Sequence, residues 1–387
     1  MTLARSIAQR IRAVTGMDKV PLHEPDLTGN ELAYVSDCIQ TGWVSSVGGY
    51  VDRFERELAA FTGAGHAVVV SNGTSGLQVA LRLVGVTTGD EVLIPALTFI
   101  ATANAVSHCG ATPHFVDSGR LTLGMDPEAL ASWLTNVAER RSSGSFNRRT
   151  GRRLAAIVPM HTFGHPVDMP SLLTIAAAWG IPVVEDAAES LGSMLEGRHV
   201  GTFGRCAVLS FNGNKILTTG GGGAILTNDP DLARRAKHLT TTAKIPHPWA
   251  FWHDEIGFNY RMPNINAAIG CAQLERMDEF IACKRALTER YLEAFRDLLE
   301  VEVFVERHGT RSNYWLQTLI LAPSVADQRD DILKETNAAG QMTRPVWEPI
   351  SALPIYAHAE RAPLPVTEDL ARRIINIPSS PKLAMAM

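Results

Sequence analysis

An α/β fold built on a mostly parallel sheet is what this chain predicts, on three observations. Short, β-branched apolar runs alternate with helix-patterned segments across residues 67–228. The runs are bounded by Gly, Pro, Asp or Asn, as buried strands are. The chain has 387 residues, 45% of them hydrophobic and 20% charged, enough to cover both faces of such a sheet.

In chain order, Val51, Phe54, Leu58 and Phe61 follow a 3-4-3 spacing that ends at Gly63, a helix with its C-terminal glycine. Seven strand-like runs follow, at 67–70, 91–94, 114–116, 155–158, 182–184, 206–209 and 224–226. Between them lie helical patterns such as Leu77, Leu81 and Val84, or Leu172, Ile175, Ala176 and Trp179. Strands alternating with helices give a parallel sheet covered on both faces. Residues 140–153 are polar and contain glycine, an exposed loop or hairpin within this layer. Beyond residue 250 the pattern changes to a long helical stretch over 264–299, strand-like segments at 301–305 and 314–321, and a helix near 330–339. The expected division is a large α/β domain over 1–250, including the N-terminal helices, and a smaller α+β domain over 251–387.

Charge and cysteines exclude several classes. The 36 basic residues against 40 acidic ones leave a net charge of −4 with no basic stripe, so electrostatic nucleic-acid binding is not expected. The five cysteines are scattered, without a CxxC pair, which reads as reduced thiols and neither a disulfide framework nor a zinc site. Residues 1–12 lack the apolar core of a signal peptide, and no run reaches membrane-spanning length. A cytoplasmic protein with no membrane partner and no metal is expected.

Ligands of open α/β sheets bind beyond the carboxyl ends of the strands, so the residues after each run carry the functional reading. After Val70 comes the loop 71–76, whose Gly73, Thr74 and Ser75 open a helix. Exposed N–H groups at a helix N-terminus cradle phosphate, although an Asn-Gly turn with an ordinary cap has the same composition. Asp186 ends an almost uncharged strand, where an ionised carboxylate needs a partner; a loop-bonding aspartate is the plainer alternative. Lys215 sits in a Gly/Asn-rich turn after Ser210, either solvated or desolvated on the rim and able to form a Schiff base. Phe99 follows the run 91–94, where packing at a helix start would also account for it. Phosphate cradle, flat aromatic, buried aspartate and rim lysine at neighbouring junctions together describe one ligand, pyridoxal 5′-phosphate.

Those residues occur in blocks that resemble the DegT/DnrJ group of fold type I pyridoxal-phosphate aminotransferases, which act on nucleotide-linked keto sugars. The carriers are SNGTSGLQVAL (71–81), PALTFIATANAV (95–106), VEDAAESLGS (184–193), SFNGNKILTTGGGGAI (210–225) and GFNYRMPNINAAIGCAQLE (257–275). The resemblance implies Lys215 as Schiff-base lysine and general acid/base, Asp186 on the pyridine nitrogen, Glu189 near the ring hydroxyl and Phe99 over the ring. It implies Gly73, Thr74, Ser75 and Ser210 on the phosphate, with Asn259 reaching it from a second subunit, and hence a homodimer with composite sites. Arg344 and Trp347 stand where relatives approach the sugar nucleotide. Two departures accompany it: Glu189 replaces a frequent Gln or His, and the glycines at 220–223 replace a common Gly-Glu-Gly-Gly.

The N-terminal segment HEPDLTGNELAYVSDCIQTGWVSSVGGYVDRFE and the loop NRRTGRR resemble one branch more closely. That branch moves the amino group of glutamate to C4 of a UDP-linked 4-keto-6-deoxy-N-acetylhexosamine. Another keto sugar nucleotide, perosamine-type or aminated at C3, is the alternative. A dehydratase of the same scaffold would carry His in place of Lys215, and a non-catalytic regulator would not need Lys215, Asp186 and the phosphate loop together.

Overall fold

The computed structural model describes residues 2–385. Seven strands fall at the seven apolar runs, the fifth two residues later than its run: β1 His66–Val70, β2 Glu91–Pro95, β3 Thr112–Val116, β4 Leu154–Ile157, β5 Val184–Asp186, β6 Cys206–Ser210 and β7 Gly223–Thr227. The ladders give the orders β3-β2-β4 and β1-β7-β6-β5. Parallel bridges Ile157–Val183 and Met160–Asp186 join these into one sheet of order β3-β2-β4-β5-β6-β7-β1. Three backbone bonds secure that seam, including Asp186 N–H to Pro159 O at 2.8 Å. Only β7 is antiparallel to its neighbours, so six carboxyl ends and the start of β7 share one edge.

Helix Gly73–Leu83 packs on one face through Leu77, Val79 and Leu81, which join Val68, Val70, Val92 and Ile225 in a single core cluster. The helix over the 51–61 pattern runs Gly49–Thr62 and stops at Gly63, whose φ of +69° a residue with a Cβ would adopt at a cost. The 140–153 segment is a hairpin, Ala138–Arg141 paired with Gly144–Asn147. Its base is held from inside: Asn147 Nδ2 and Thr150 Oγ1 both donate to the buried Glu91 carboxylate, at 2.9 and 2.6 Å.

The second layer is an antiparallel sheet of β8 Val301–Val303, β9 Gln317–Leu321, β10 Arg344–Pro345 and β11 Ile374–Ile377, in the order β8-β9-β11-β10. The long helical stretch is two helices, Asn264–Leu274 and Met277–Phe295, interrupted at Glu275 and Arg276. Helix Asn264–Leu274 packs on Gly49–Thr62, with Gly270 close against the Phe54 ring. The N-terminal helix Leu3–Thr15 does not join the large layer. Its Ile7, Ile11 and Val14 pack with Leu287, Tyr291, Leu319 and Ile375 of the second layer. Burial of each such aliphatic side chain contributes about 1.5–3 kcal/mol, which anchors this helix to the C-terminal half. Leu3–Thr15 thus packs with elements that lie beyond the expected boundary at residue 250. Among the described residues, no helix is long and apolar enough to cross a membrane.

Candidate active site

The shared strand edge opens on a cavity of about 280 Å³, whose lining includes Gly73, Thr74, Asp186, Glu189, Ser210 and Lys215. Its floor begins at the β1 turn. Asn72 caps helix Gly73–Leu83, its Oδ1 accepting from the Ser75 N–H at 2.8 Å. The first-turn N–H groups of Gly73 and Thr74 have no intrahelical acceptor, and the positive end of the helix lies there. β7 starts directly beneath this turn. A Cβ on Gly223 would lie 2.7 Å from Leu209 O and 2.9 Å from Gly73 N, so the approach requires glycine.

Asp186, at the end of β5, is buried. One carboxylate oxygen accepts from Thr102 Oγ1 at 2.7 Å and the other from the Ala188 N–H at 3.2 Å. Burial pushes its carboxyl above the ordinary value, and the Thr102 and Ala188 hydrogen bonds hold that rise back. No cation pairs with it among the described residues. A buried carboxylate with neutral donors only is completed by a positively charged N–H, which a protonated pyridine nitrogen supplies.

Lys215 lies on the turn after β6, its side chain 12% exposed. Its Nζ stands 3.1 Å from Glu189 Oε1 and 3.7 Å from the centre of the Trp315 ring. Glu189 is buried, its Oε2 accepting from the Phe163 N–H at 2.8 Å. Burial pushes the Glu189 carboxyl up to about 7, with Lys215 and the Phe163 N–H opposing. Phe99 precedes helix Ile100–His108 with half its surface exposed, and its ring centre is 6.3 Å from that of Trp347. Trp347 in turn lies 5.1 Å from Phe163.

Gly73, Thr74, Phe99, Asp186, Glu189, Ser210, Lys215 and Trp347 thus line one cavity, as the junction argument and, for Trp347, the family resemblance led us to expect. Three expected residues do not. The Ser75 hydroxyl turns back to Asn72 O at 2.9 Å and lies 3.2 Å from Ser71 Oγ, because the cap uses it. Asn259 is exposed and bridges Thr241 through its backbone. Arg344 is exposed on β10 opposite Asn376. Sequence reasoning missed Thr102, although it lies inside the quoted 95–106 block one helical turn past Thr98. It also missed Trp315 and its anchor Asn313, which no local pattern marks.

A family model described as the DegT/DnrJ/EryC1/StrS aminotransferase family matches residues 25–387. The chain belongs to that family. It is 38% identical over 368 residues to a GDP-perosamine synthase of Escherichia coli O157:H7, covering 95% of each chain. It is 36% identical to the putative pyridoxal phosphate-dependent aminotransferase EpsN of Bacillus subtilis, over 93% of this chain and 91% of that one. Among solved structures, the aminotransferase TlmJ from Streptoalloteichus hindustanus superposes with a TM-score of 0.84 at 29% identity, covering 93% of both chains. The chain is a fold type I, pyridoxal-phosphate-dependent sugar aminotransferase. Its own residues fit the cofactor: a helix N-terminus for the phosphate, a buried carboxylate with no cation partner among the described residues, and an amine on the same cavity.

Proposed function

We propose that the enzyme transfers the amino group of glutamate to C4 of a nucleotide-linked 4-keto-6-deoxyhexose. The observation that carries this reading is the placement of Lys215 and Asp186 on one cavity at the carboxyl edge of the sheet. Pyridoxal phosphate, when bound, supplies an electron sink conjugated to the carbon that bears nitrogen. The first-turn N–H groups of Gly73 and Thr74, with Ser210, would hold its phosphate. Asp186 would keep positive charge on the ring nitrogen, Glu189 would serve the ring hydroxyl, and Phe99 would pack on the ring. Lys215 Nζ removes a proton from the glutamate α-carbon and later delivers one to sugar C4, with Glu189 beside it accepting a hydrogen bond.

Two nucleotide sugars compete. The N-terminal segment and the 147–153 loop support the UDP-linked N-acetylhexosamine substrate. Relatives named GDP-perosamine synthase, at 37–38% identity over nearly their whole length, support a GDP-linked one, and perosamine is itself a 4-amino-4,6-dideoxyhexose. In either case Trp347 packs on a sugar or base face and Arg344 pairs with the diphosphate. Asn259 reaches the cofactor phosphate of a second copy, so the working unit is a homodimer, in the cytoplasm where sugar nucleotides are made.

One experiment tests the reaction and the substrate together. Purified enzyme is incubated with glutamate and each of the two 4-keto sugar nucleotides, and the amino sugar is scored by mass. Product from one nucleotide sugar selects it. Absence of product from both, in a protein whose visible absorbance shows bound cofactor, would overturn C4 amination.

A further inference from the structure

Lys215 faces two partners that come from separate parts of the chain, and a single buried side chain ties them together. The Lys215 amine lies over the Trp315 ring at 3.7 Å and bonds Glu189 Oε1 at 3.1 Å. Asn313, with no exposed surface, accepts from the Trp315 N–H through Oδ1 at 2.8 Å. Its Nδ2 donates to the carbonyls of Glu189 and Leu191, both at 2.9 Å. Trp315 is held at two further points. Its Nε1 donates to Asn214 O at 2.8 Å, in the turn that carries Lys215. Its carbonyl accepts from the buried Lys284 Nζ at 2.9 Å. The ring is held through its Nε1, the Glu189 backbone through Asn313, and the Glu189 carboxylate through the Phe163 N–H at 2.8 Å.

We propose that Trp315 and Glu189, coupled through Asn313, form a resting nest for Lys215 Nζ in the states where that amine is free of the cofactor and carries a proton. Trp315 and Asn313 are then positioning residues of transamination, acting through Lys215. The physical basis is direct. A ring face attracts a cation, most strongly away from water, and a carboxylate does the same. Once the lysine is displaced and protonated, the nest keeps its Nζ on the cavity wall within reach of the reacting carbon. A free lysine side chain would otherwise sample many rotamers, and the fixed one spares that entropy in every cycle.

This inference rests on the reading of Lys215 as the cofactor-bonding lysine, and the test separates the two. Borohydride treatment of the loaded protein, followed by peptide mass analysis, asks only whether cofactor is fixed to Lys215. The nest is tested in cofactor-free protein by limiting acetylation with acetic anhydride at neutral pH. Acetylation of Lys215 is expressed relative to Lys334, whose side chain is 78% exposed. Only an unprotonated amine attacks the anhydride, so a nest that favours the ammonium suppresses the ratio. Trp315→Leu is expected to raise it about 2- to 30-fold, the range of one cation–π contact. Trp315→Phe, which keeps a ring face, is expected to stay near the parent, and Asn313→Ala to move in the direction of Trp315→Leu. Thermal unfolding confirms that each variant is folded, and if Trp315→Leu is not, Asn313→Ala and Asn313→Ser carry the comparison. A Leu ratio within twofold of the parent, or a Phe ratio raised as much as Leu, overturns the nest. Cofactor fixed elsewhere than Lys215 overturns the functional reading and leaves the nest result standing.

Discussion

Asn313 lies so close over Gly164 that a Cβ on Gly164 would sit 1.8 Å from the Asn313 Oδ1. Gly164 also has φ of +95°, and its carbonyl accepts from Ser193 Oγ at 2.7 Å and Ser312 Oγ at 3.0 Å. The carboxamide cannot step aside, because the hydrogen bonds that align Trp315 and Glu189 fix both of its ends.

Gly164→Ala is therefore expected to strain the backbone and displace Asn313 together. A left-handed non-glycine residue costs about 1–2 kcal/mol before any clash is counted. The melting temperature should fall by several degrees and turnover should fall with it, whereas Gly197→Ala, at a similar φ with open space around it, should cost only the backbone term. Equal losses for the two variants would show that Asn313 yields.

Asp186→Asn keeps the Thr102 contact but removes the negative charge. Turnover should drop about 10²- to 10³-fold, the cost of one preorganised electrostatic group. The visible cofactor band should persist, since phosphate cradle and lysine are intact. Near-normal turnover in single-turnover assays would return Asp186 to a loop-bonding role.

Glu189 links the site to pH. Its folded carboxyl titrates at about 7 against an ordinary 4.5 because burial outweighs Lys215. Folded protein thus holds a proton that unfolded chain has lost, so this contribution to stability is present below pH 4.5 and disappears as pH rises through 7. The contribution is about 3 kcal/mol at most, at 1.36 kcal/mol per unit. Cofactor-free Glu189→Gln should lose this decline between pH 4.5 and 7 in denaturant titrations. An unchanged slope would mean that Glu189 is ionised throughout.

Asn259 tests the dimer. Lys215→Ala and Asn259→Asp, each inactive or severely impaired alone, should regain activity when co-expressed. A mixed dimer holds one site with both parental residues and one with neither, so random pairing restores roughly a quarter of the sites. Demonstrated mixed dimers without recovery would place Asn259 outside the neighbour's site.

The sequence by itself determined the seven strands, their alternation with helices and the edge on which function collects. Those features follow from local periodicity and from the rule that ligands meet the carboxyl ends of strands. Gly73, Asp186 and Lys215 were legible because each lies at the end of its strand or within a few residues after it. Tertiary structure alone decided what surrounds them. Trp315 reaches the Lys215 turn from 101 residues away, and Asn313 reaches Glu189 from 124. The helix Leu3–Thr15 settled against the second sheet by the fit of Ile7 and Ile11 into its core, and Ser75 gave its hydroxyl to the helix cap, not to the cavity. Such contacts leave no periodic trace, since a buried ring or carboxamide is placed by whichever distant surfaces close around it.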